Sequence, residues 1–344
     1  MSFPETIQAI AIDQNGDVDV LQKKVVPFPE HVPGNVIVKI QYAGVNFIDT
    51  YYRKGLYPAK SFPLVLGMEA SGTIVGLPTD EKVLADEQYK KRMFKIGDKV
   101  AVNQSNVHAE YASVSWVRVY PVPESVSLLT AGAALLQGLT ALTFVTEAYN
   151  VKKGDYVFIH TIAGGLGLLF SQLSKDRGAI VIGTTSTPEK AELAKQHGAD
   201  HVILYPVENT VDRVLEITNG EGVHVVYDGV GKDTFDNDFK LLRRKGTLVA
   251  VGNASGPAPP VAPLRLVEKN LALLRPSFMN YTVTPEETLY YGTELFKLIT
   301  DGKLKINVFR EYPFTTEGIR EAQSDLTTRS GKTVGKLVIK IADN

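Results

Sequence analysis

The sequence predicts an α/β fold in which a doubly wound parallel sheet is joined to a separate β-rich domain. Three observations predict it. The first third of the chain is a succession of short apolar or β-branched runs bounded by Gly, Pro, Asn or Asp. From Tyr156 onward, runs of strand and helix character alternate. The first strand of that alternation passes through a small-residue turn directly into a helix. A length of 344 residues suits two such domains, because single cores stop growing at roughly 250–300 residues.

In the first third, Ile7–Ile12, Asn35–Tyr42, Ala70–Val75, Lys99–Val102 and Ala109–Val114 read as strands, with turns at Asn15-Gly16 and Gly97-Asp98 and little helix. The charged stretch Pro78–Phe94 (PTDEKVLADEQYKKRMF) reads as a surface excursion with a solvated face. The domain change falls near Pro121–Leu128, and the Ala/Leu-rich run Leu128–Tyr149 reads as a long helix. Strands are then expected at Tyr156–Ile159, Ile180–Thr184, His201–Leu204, Val223–Tyr227 and Thr247–Gly252. Helices are expected between them at Gly167–Asp176, Pro188–His197, Val211–Thr218 and Phe235–Leu242. Thr284-Pro285-Glu286-Glu287 has the pattern of a capping box with proline at the first helical position; that helix should stop at Gly302. A helix near Thr316–Thr328 and a strand at Lys336–Ile341 could return the chain to the first domain.

Charged residues make up 22% of the chain and its formal charge is −1, so nothing global draws it toward nucleic acid or an anionic membrane. It contains no cysteine, which excludes disulfides, cysteine nucleophiles, iron–sulfur clusters and thiolate metal sites. The N-terminal residues lack the pattern of a secretory signal, and no stretch reads as the roughly 18 apolar residues that span a bilayer. The expectation is a cytoplasmic protein with no membrane partner.

The chemistry is most legible in YVFIHTIAGGLGLLFSQLSK. A strand ends at His160, a turn runs Ala163-Gly164-Gly165-Leu166-Gly167, and a helix follows. A diphosphate needs this arrangement, since glycines let backbone N–H groups approach it and the helix N-terminus supplies partial positive charge. The first glycine of G-x-G-x-x-G is missing, with Ile162 in its place. At the end of the next strand an NAD site would carry an Asp or Glu for the ribose hydroxyls. Here the strand ends Gly183-Thr184-Thr185-Ser186, with Lys190 one turn into the helix. Hydroxyls and an ammonium suit a 2′-phosphate, so NADPH is the expected cofactor. The plain alternative is that Thr185 and Ser186 cap the helix and Lys190 is solvated.

These residues resemble a family. GVNFIDTYYRKGLYP (Gly44–Pro58), VLGMEASGTIV (Val65–Val75), QGLTA (Gln137–Ala141), IAGGLG (Ile162–Gly167), VYDGVG (Val226–Gly231), VGNASG (Val251–Gly256) and RPSF (Arg275–Phe278) are similar to the zeta-crystallin-like quinone oxidoreductases, zinc-free members of the medium-chain dehydrogenase/reductase superfamily. The resemblance implies a Rossmann-type dinucleotide-binding domain, here residues 129–285. It would be inserted into a β-rich, GroES-like catalytic domain formed by residues 1–128 and 286–344, with the active site in the cleft. It also implies a homodimer formed through the nucleotide domains. Carried over by position, Gly164, Gly165, Leu166 and Gly167 would hold the pyrophosphate. Thr185, Ser186, Lys190 and Tyr205 would surround the 2′-phosphate and adenosine. Gly229, Val251, Gly252 and Asn253 would line the ribose and nicotinamide. Asn46 and Tyr51 would face nicotinamide and substrate, Thr140 of the QGLTA block would join the cofactor contacts, and Arg329 would reach the cofactor from the C-terminal return. The chain departs from the family at Gln137, where relatives often carry lysine, at the bulky Ile162, and in the length of Pro78–Phe94.

Zinc-dependent alcohol dehydrogenases of the same superfamily resemble this chain too, but Asn46 and Met68 stand where they carry cysteine and histidine ligands. Zinc takes Cys, His and carboxylates, so no metal is expected. Without a Lewis acid, developing alkoxide charge lacks a stabiliser. A quinone spreads that charge itself and needs only placement and a hydrogen bond or two, for which Tyr51 and Asn46 are the candidates. Quinone reduction by NADPH is therefore the expected function, with hydride and one-electron transfer both open. An enone or alkenal reductase with Tyr51 as proton donor is the alternative. Binding of AU-rich RNA, a property associated with zeta-crystallin relatives, has no basic stripe to support it. Each candidate also has a plainer role: Tyr51 as domain-edge cover, Asp49 as a structural acceptor, His160 as a packed core residue and Arg329 as a solvated helix-end cation.

Overall fold

The computed structural model describes residues 3–328 and 333–342. It divides into two compact units: residues up to Leu139 with Thr282–Gly302 and those from Ile306 on, and Thr140–Tyr281 with Lys303–Lys305.

The β-rich unit is built on one long strand, Asn35–Val45. It pairs antiparallel with Ala70–Gly76, with Tyr111–Ser115 and with Lys336–Lys340. The sheet continues through Lys99–Val102 to Val119–Pro121 on one side and ends at Val308–Pro313 on the other. The C-terminal strand thus returns to the N-terminal sheet, with Leu337 opposite Val45 and Lys340 opposite Tyr42. A smaller sheet joins Gln22–Pro27, Thr6–Ile12 and Leu64–Val65. The core is β-branched: Val36, Val38, Ile40, Ile74, Val100, Val102 and Val114 are buried together.

Two features of this unit differ from the sequence expectation. Phe47–Lys54 is a helix, although Phe, Ile, Thr and two Tyr favour strands. Its start is fixed locally, because the Asp49 carboxylate accepts the Asn46 N–H at 2.8 Å, and Gly55 ends it in the left-handed region. Second, Pro78–Phe94 is not simply a solvated excursion. It forms two short helices, Glu81–Ala85 and Glu87–Lys90, started by the carboxylates of Asp80 and Asp86. Tyr89 and Phe94 enter the core and Tyr89 packs edge-on against Trp116 at 5.6 Å. Arg92 is buried too and donates to Val119 O, Pro285 O and Thr288 Oγ1. Every other charged side chain there can face water, which hides the three that do not.

The second unit holds a six-stranded, all-parallel sheet. Its order is His201–Leu204, Ile180–Thr185, Tyr156–Ile159, Val223–Asp228, Leu242–Ala250, Ala272–Leu274. Numbered within the unit this is 3-2-1-4-5-6, the doubly wound dinucleotide-fold order, whose direction reverses between Tyr156–Ile159 and Val223–Asp228. Ligands of such sheets bind where two loops diverge at that point. Leu128–Thr143 is helical and runs into a π turn at Phe144–Ala148. By length and composition this stretch could cross a membrane, contrary to the sequence reading, but most of it is buried inside the protein, as a core helix is. The capping box at Thr284 forms as expected: Glu287 accepts the Thr284 N–H at 2.9 Å and Thr284 Oγ1 accepts the Glu287 N–H at 3.2 Å.

Tyr89→Ala is expected to destabilise the protein by about 3 kcal/mol, the cost of removing a buried aromatic ring. Chemical denaturation would measure it. A change within about 0.5 kcal/mol, as for an exposed site, would contradict the burial.

Candidate functional site

In the parallel-sheet unit the chain leaves Tyr156–Ile159 through His160 and Thr161 and enters the helix Gly165–Asp176 at its N-cap, Gly164. No side chain caps this end and no acidic residue lies in the first turn. The first N–H groups of a helix have no partner within it, so they are available to an anion here. Gly167 lets the helix sit on the turn, since a Cβ there would lie 2.5 Å from Thr161 O. The missing first glycine has a structural counterpart. Ile162 is fully buried, and its Cδ1 lies 2.5 Å from where Gly183 would carry a Cβ. The bulk added in the turn is accommodated by an absent side chain on the neighbouring strand.

That strand, Ile180–Thr185, brings Thr185 beside Tyr205, whose N–H donates to Thr185 O at 3.2 Å. The helix that follows is capped by Thr187, which accepts the Lys190 N–H at 3.3 Å. Thr185 and Ser186 are therefore not its caps. Thr185 is buried, while Ser186 and the Lys190 side chain are half-buried, and burial holds Lys190 below its usual pKa. Glu189 also lies in this first turn, exposed, with its carboxylate held low by its own N–H and the Thr187 hydroxyl. The sequence reading passed over it.

Across the reversal point, the loops after Val223–Asp228 and Leu242–Ala250 pack backbone to backbone. A Cβ on Gly252 would lie 2.6 Å from Gly229 O. Asp228 organises the first loop by accepting from Val230 N (2.7 Å), Gly231 N (3.2 Å) and Thr234 Oγ1 (3.0 Å). Gly229 opens into free space. Arg275 donates to Ala250 O at 2.7 Å, and its other terminal nitrogen reaches the Asn253 side-chain oxygen at 3.0 Å. Gly229, Val251, Gly252 and Asn253 are thus brought together; Val251 N and Gly252 N both donate to Asp228 O.

Beneath these loops lies a cluster that sequence reasoning missed. His160 Nε2 is 2.7 Å from Asp238 Oδ1 and Nδ1 is 3.3 Å from Thr184 Oγ1. His160, Asp228 and Asp238 are all buried, and among the described residues they form the one group of three that could hold a metal ion. Burial, together with the charge of Asp228, raises the Asp238 carboxyl to about 7 despite the pull of His160. For His160 burial acts downward, but Asp238 and Asp228 outweigh it and leave the imidazole raised. Sequence alone placed His160 in the core; its partner sits 78 residues away on the helix Phe235–Leu241.

In the β-rich unit, Asn46 joins the strand Asn35–Val45 to the helix carrying Tyr51. Its amide is fully engaged: Oδ1 accepts from Lys336 Nζ at 2.6 Å, and Nδ2 donates to Glu69 Oε1 at 2.8 Å. Met68 is buried beside Glu69, with its carbonyl accepting from Asn103 Nδ2. The positive charge lying against Asn46 is the Lys336 ammonium. Asp49 is buried, and burial raises its carboxyl above the usual value. It is the structural acceptor that caps the helix. Tyr51 is largely buried and packs edge-on against Tyr57 at 5.4 Å, which also meets Tyr52 at 5.7 Å. Thr140 is largely buried on the long helix. Arg329 lies outside the described residues.

A GroES-like sheet and a nucleotide-type sheet in one chain define the medium-chain dehydrogenase/reductase class. Family models agree: an alcohol dehydrogenase GroES-like domain matches residues 32–124 and a zinc-binding dehydrogenase matches residues 165–291. The chain is 37% identical over 331 residues to a probable quinone oxidoreductase of Schizosaccharomyces pombe, covering 96% of each. It is 33% identical to 2-haloacrylate reductase of a Burkholderia species, covering 97% of this chain and 98% of the other. The crystal structure of Escherichia coli quinone oxidoreductase complexed with NADPH superposes with a TM-score of 0.89 at 33% identity, covering 97% of this chain and all of that one. The chain belongs to the zinc-free quinone oxidoreductase family of the medium-chain dehydrogenases/reductases.

The buried cluster makes a signed prediction. Asp238 holds its proton to about pH 7 in the fold and to about 3.8 when unfolded, so the stability it lends is full below about pH 4 and lost as the pH rises through about 7. His160, also raised, has the same sign. The stability of wild type relative to Asp238→Asn should therefore fall as the pH rises from about 4 through 7, with the His160 share lost above 6.5. Denaturant titrations at several pH values would check this; a flat difference would contradict it.

Proposed function

We propose that this protein is an NADPH:quinone oxidoreductase. The single observation that carries the reading is the uncapped helix N-terminus behind Gly164, at the reversal point of a parallel sheet whose second strand ends in hydroxyls, with Lys190 half-buried and Glu189 exposed in the first turn of the helix that follows. The residues fit the cofactor. Gly165, Leu166 and Gly167 would receive the diphosphate on backbone N–H groups, and Gly164, whose own N–H is taken by Thr161 O at 2.8 Å, would let it approach closely. Ser186 and Lys190 would meet the 2′-phosphate, with Thr185 and Tyr205 beside the adenosine. Gly229, Val251, Gly252 and Asn253 would form the wall offered to ribose and nicotinamide, with Thr140 and Arg329 completing the contacts; the Asn46 amide, taken up by Lys336 and Glu69, would act through the Tyr51 helix instead. NADPH, when bound, supplies the reducing equivalents. The crystal structure of the E. coli relative with NADPH supports that choice.

The protein's own share of the chemistry is placement. Tyr51, held on a capped helix and braced by Tyr57, is the substrate-side hydrogen-bonding group; Asn46 fixes where that helix begins. Quinones suit such a site because the reduced ring carries its own negative charge. The relation to 2-haloacrylate reductase favours a second reading, reduction of an activated carbon–carbon double bond, in which Tyr51 would deliver the proton. We also read the outer strand Ala272–Leu274 as a dimer edge. It ends the six-stranded sheet, and Leu264 and Val267 in the segment before it are exposed.

NADPH oxidation by a panel of quinones and enals tests the assignment. Quinones should be reduced with NADPH in clear preference to NADH, without effect of chelators. Lys190→Ala should raise KM for NADPH by about tenfold, the worth of one charge-assisted contact, and leave NADH unchanged. Comparable rates with NADH in the wild type would contradict the cofactor choice. Tyr51→Phe separates the two substrate readings: loss of enal reduction with quinone reduction spared marks the tyrosine as an acid. Light scattering should give twice the 37.6 kDa chain mass, and Leu273→Pro should yield monomers.

A further inference from the structure

The β-rich unit contains a buried ion pair that packing does not explain. Lys336 is 2% exposed and Glu69 fully buried, and Lys336 Nζ lies 2.5 Å from Glu69 Oε1. Removing two such charges from water costs several kcal/mol per ion, and replacing a buried pair by apolar residues is often neutral or stabilising. Stability alone therefore gives no reason for its presence. Its contacts do. Glu69 Oε1 takes the Asn46 amide N–H at 2.8 Å as well as the ammonium, and Glu69 Oε2 takes the N–H of Leu136 at 2.7 Å. Lys336 in turn donates to Asn46 Oδ1 at 2.6 Å. The carboxylate lies directly over Gly44, where a Cβ would come within 2.4 Å of Oε1.

An asparagine amide has two orientations, related by a half-turn, of nearly equal shape. Here an ammonium faces one end and a carboxylate the other, so the flipped form would set NH2 against NH3+ and carbonyl against carboxylate. The pair therefore imposes one orientation on Asn46. It also ties four segments at one point: the start of the Tyr51 helix, the strand at Ala70, the long helix at Leu136 and the C-terminal strand. Asp49, the remaining carboxyl beside the pair, has one oxygen without a hydrogen-bond partner and is raised by burial, so Glu69 is the carboxylate that matches the lysine.

We propose that Lys336 is a positioning residue for the reduction. Its ammonium, locked on Glu69, fixes the Asn46 amide and with it the start of the helix that presents Tyr51. The proposal rests on the reductase reading for its kinetic consequence only. Lys336→Met alone leaves a buried, unmatched carboxylate and should reduce folded yield, so the informative variant is Lys336→Met/Glu69→Gln, which removes both charges. It should fold and bind NADPH with unchanged affinity, measured by nucleotide fluorescence. Its kcat with 1,4-benzoquinone should fall by about ten- to a hundredfold, as misplacement of a contact does. Lys336→Arg, which keeps the charge, should keep most of the activity. A double variant that folds and turns over at the wild-type rate would overturn the proposal. Should that variant not fold, the wild-type chain labelled with 15N-asparagine still decides: the Asn46 side-chain amide protons should exchange far more slowly than those of exposed asparagines, and equal exchange would overturn the proposal. That readout involves no quinone, so a wild type inactive toward quinones would dismiss the substrate assignment alone.

Discussion

The nucleotide-type unit depends on one steric constraint: at the C-terminal ends of its parallel strands, backbone must pass within contact distance of backbone. Gly167 against Thr161, Gly183 against Ile159 and Gly252 against Gly229 are the points where a single added carbon would force the chain apart. Around them the strand ends converge, the helix N-terminus stays uncapped, and the loops after Val223–Asp228 and Leu242–Ala250 lie side by side. A ligand held by backbone N–H groups requires that economy of volume, because a side chain in any of these places would displace it.

Both units also bury charge, in different ways. In the β-rich unit Lys336 and Glu69 form a matched pair whose remaining lone pairs and protons are taken up by Asn46 and Leu136 N. In the other, Asp238 bonds the His160 imidazole with Asp228 close by, and burial together with the Asp228 charge holds a proton on Asp238 to about pH 7. The first arrangement keeps its charges and gains orientation from them. The second avoids an unmatched charge by titrating, and so carries a pH response beneath the loop that Asp228 organises.

Much of the fold was legible because its signals are local. Alternation of strand and helix, the glycine turn and the Thr284 capping box each depend on residues within a few positions of one another, and each formed. The helix Phe47–Lys54 was not legible from propensity: its residues favour strands, and the capping contact from Asp49 decides. Pro78–Phe94 misled for the opposite reason, since its charges are evident in the sequence and the burial of Tyr89, Arg92 and Phe94 is not. The candidate site divides along the same line. Residues of the glycine turn could be placed by spacing. Lys336 could not, because a lysine at the start of an apolar strand reads as exposed until a partner 267 residues earlier in the chain is folded against it. Asp238 was hidden in the same way from His160.

The fit of Ile162 into the space above Gly183 has a consequence for how this chain can change. Ile162 lies in the turn and Gly183 on the neighbouring strand: a side chain at 183 would meet Ile162 Cδ1 at 2.5 Å and also the backbone oxygen of Ile159 at 2.7 Å, while a small residue at 162 with glycine retained leaves a hole. Shrinking 162 therefore loses packing without making room at 183, because the Ile159 carbonyl stays where it is. Redesign of this turn toward a more usual glycine pattern would keep Gly183 and have to fill the space that Ile162 vacates from elsewhere.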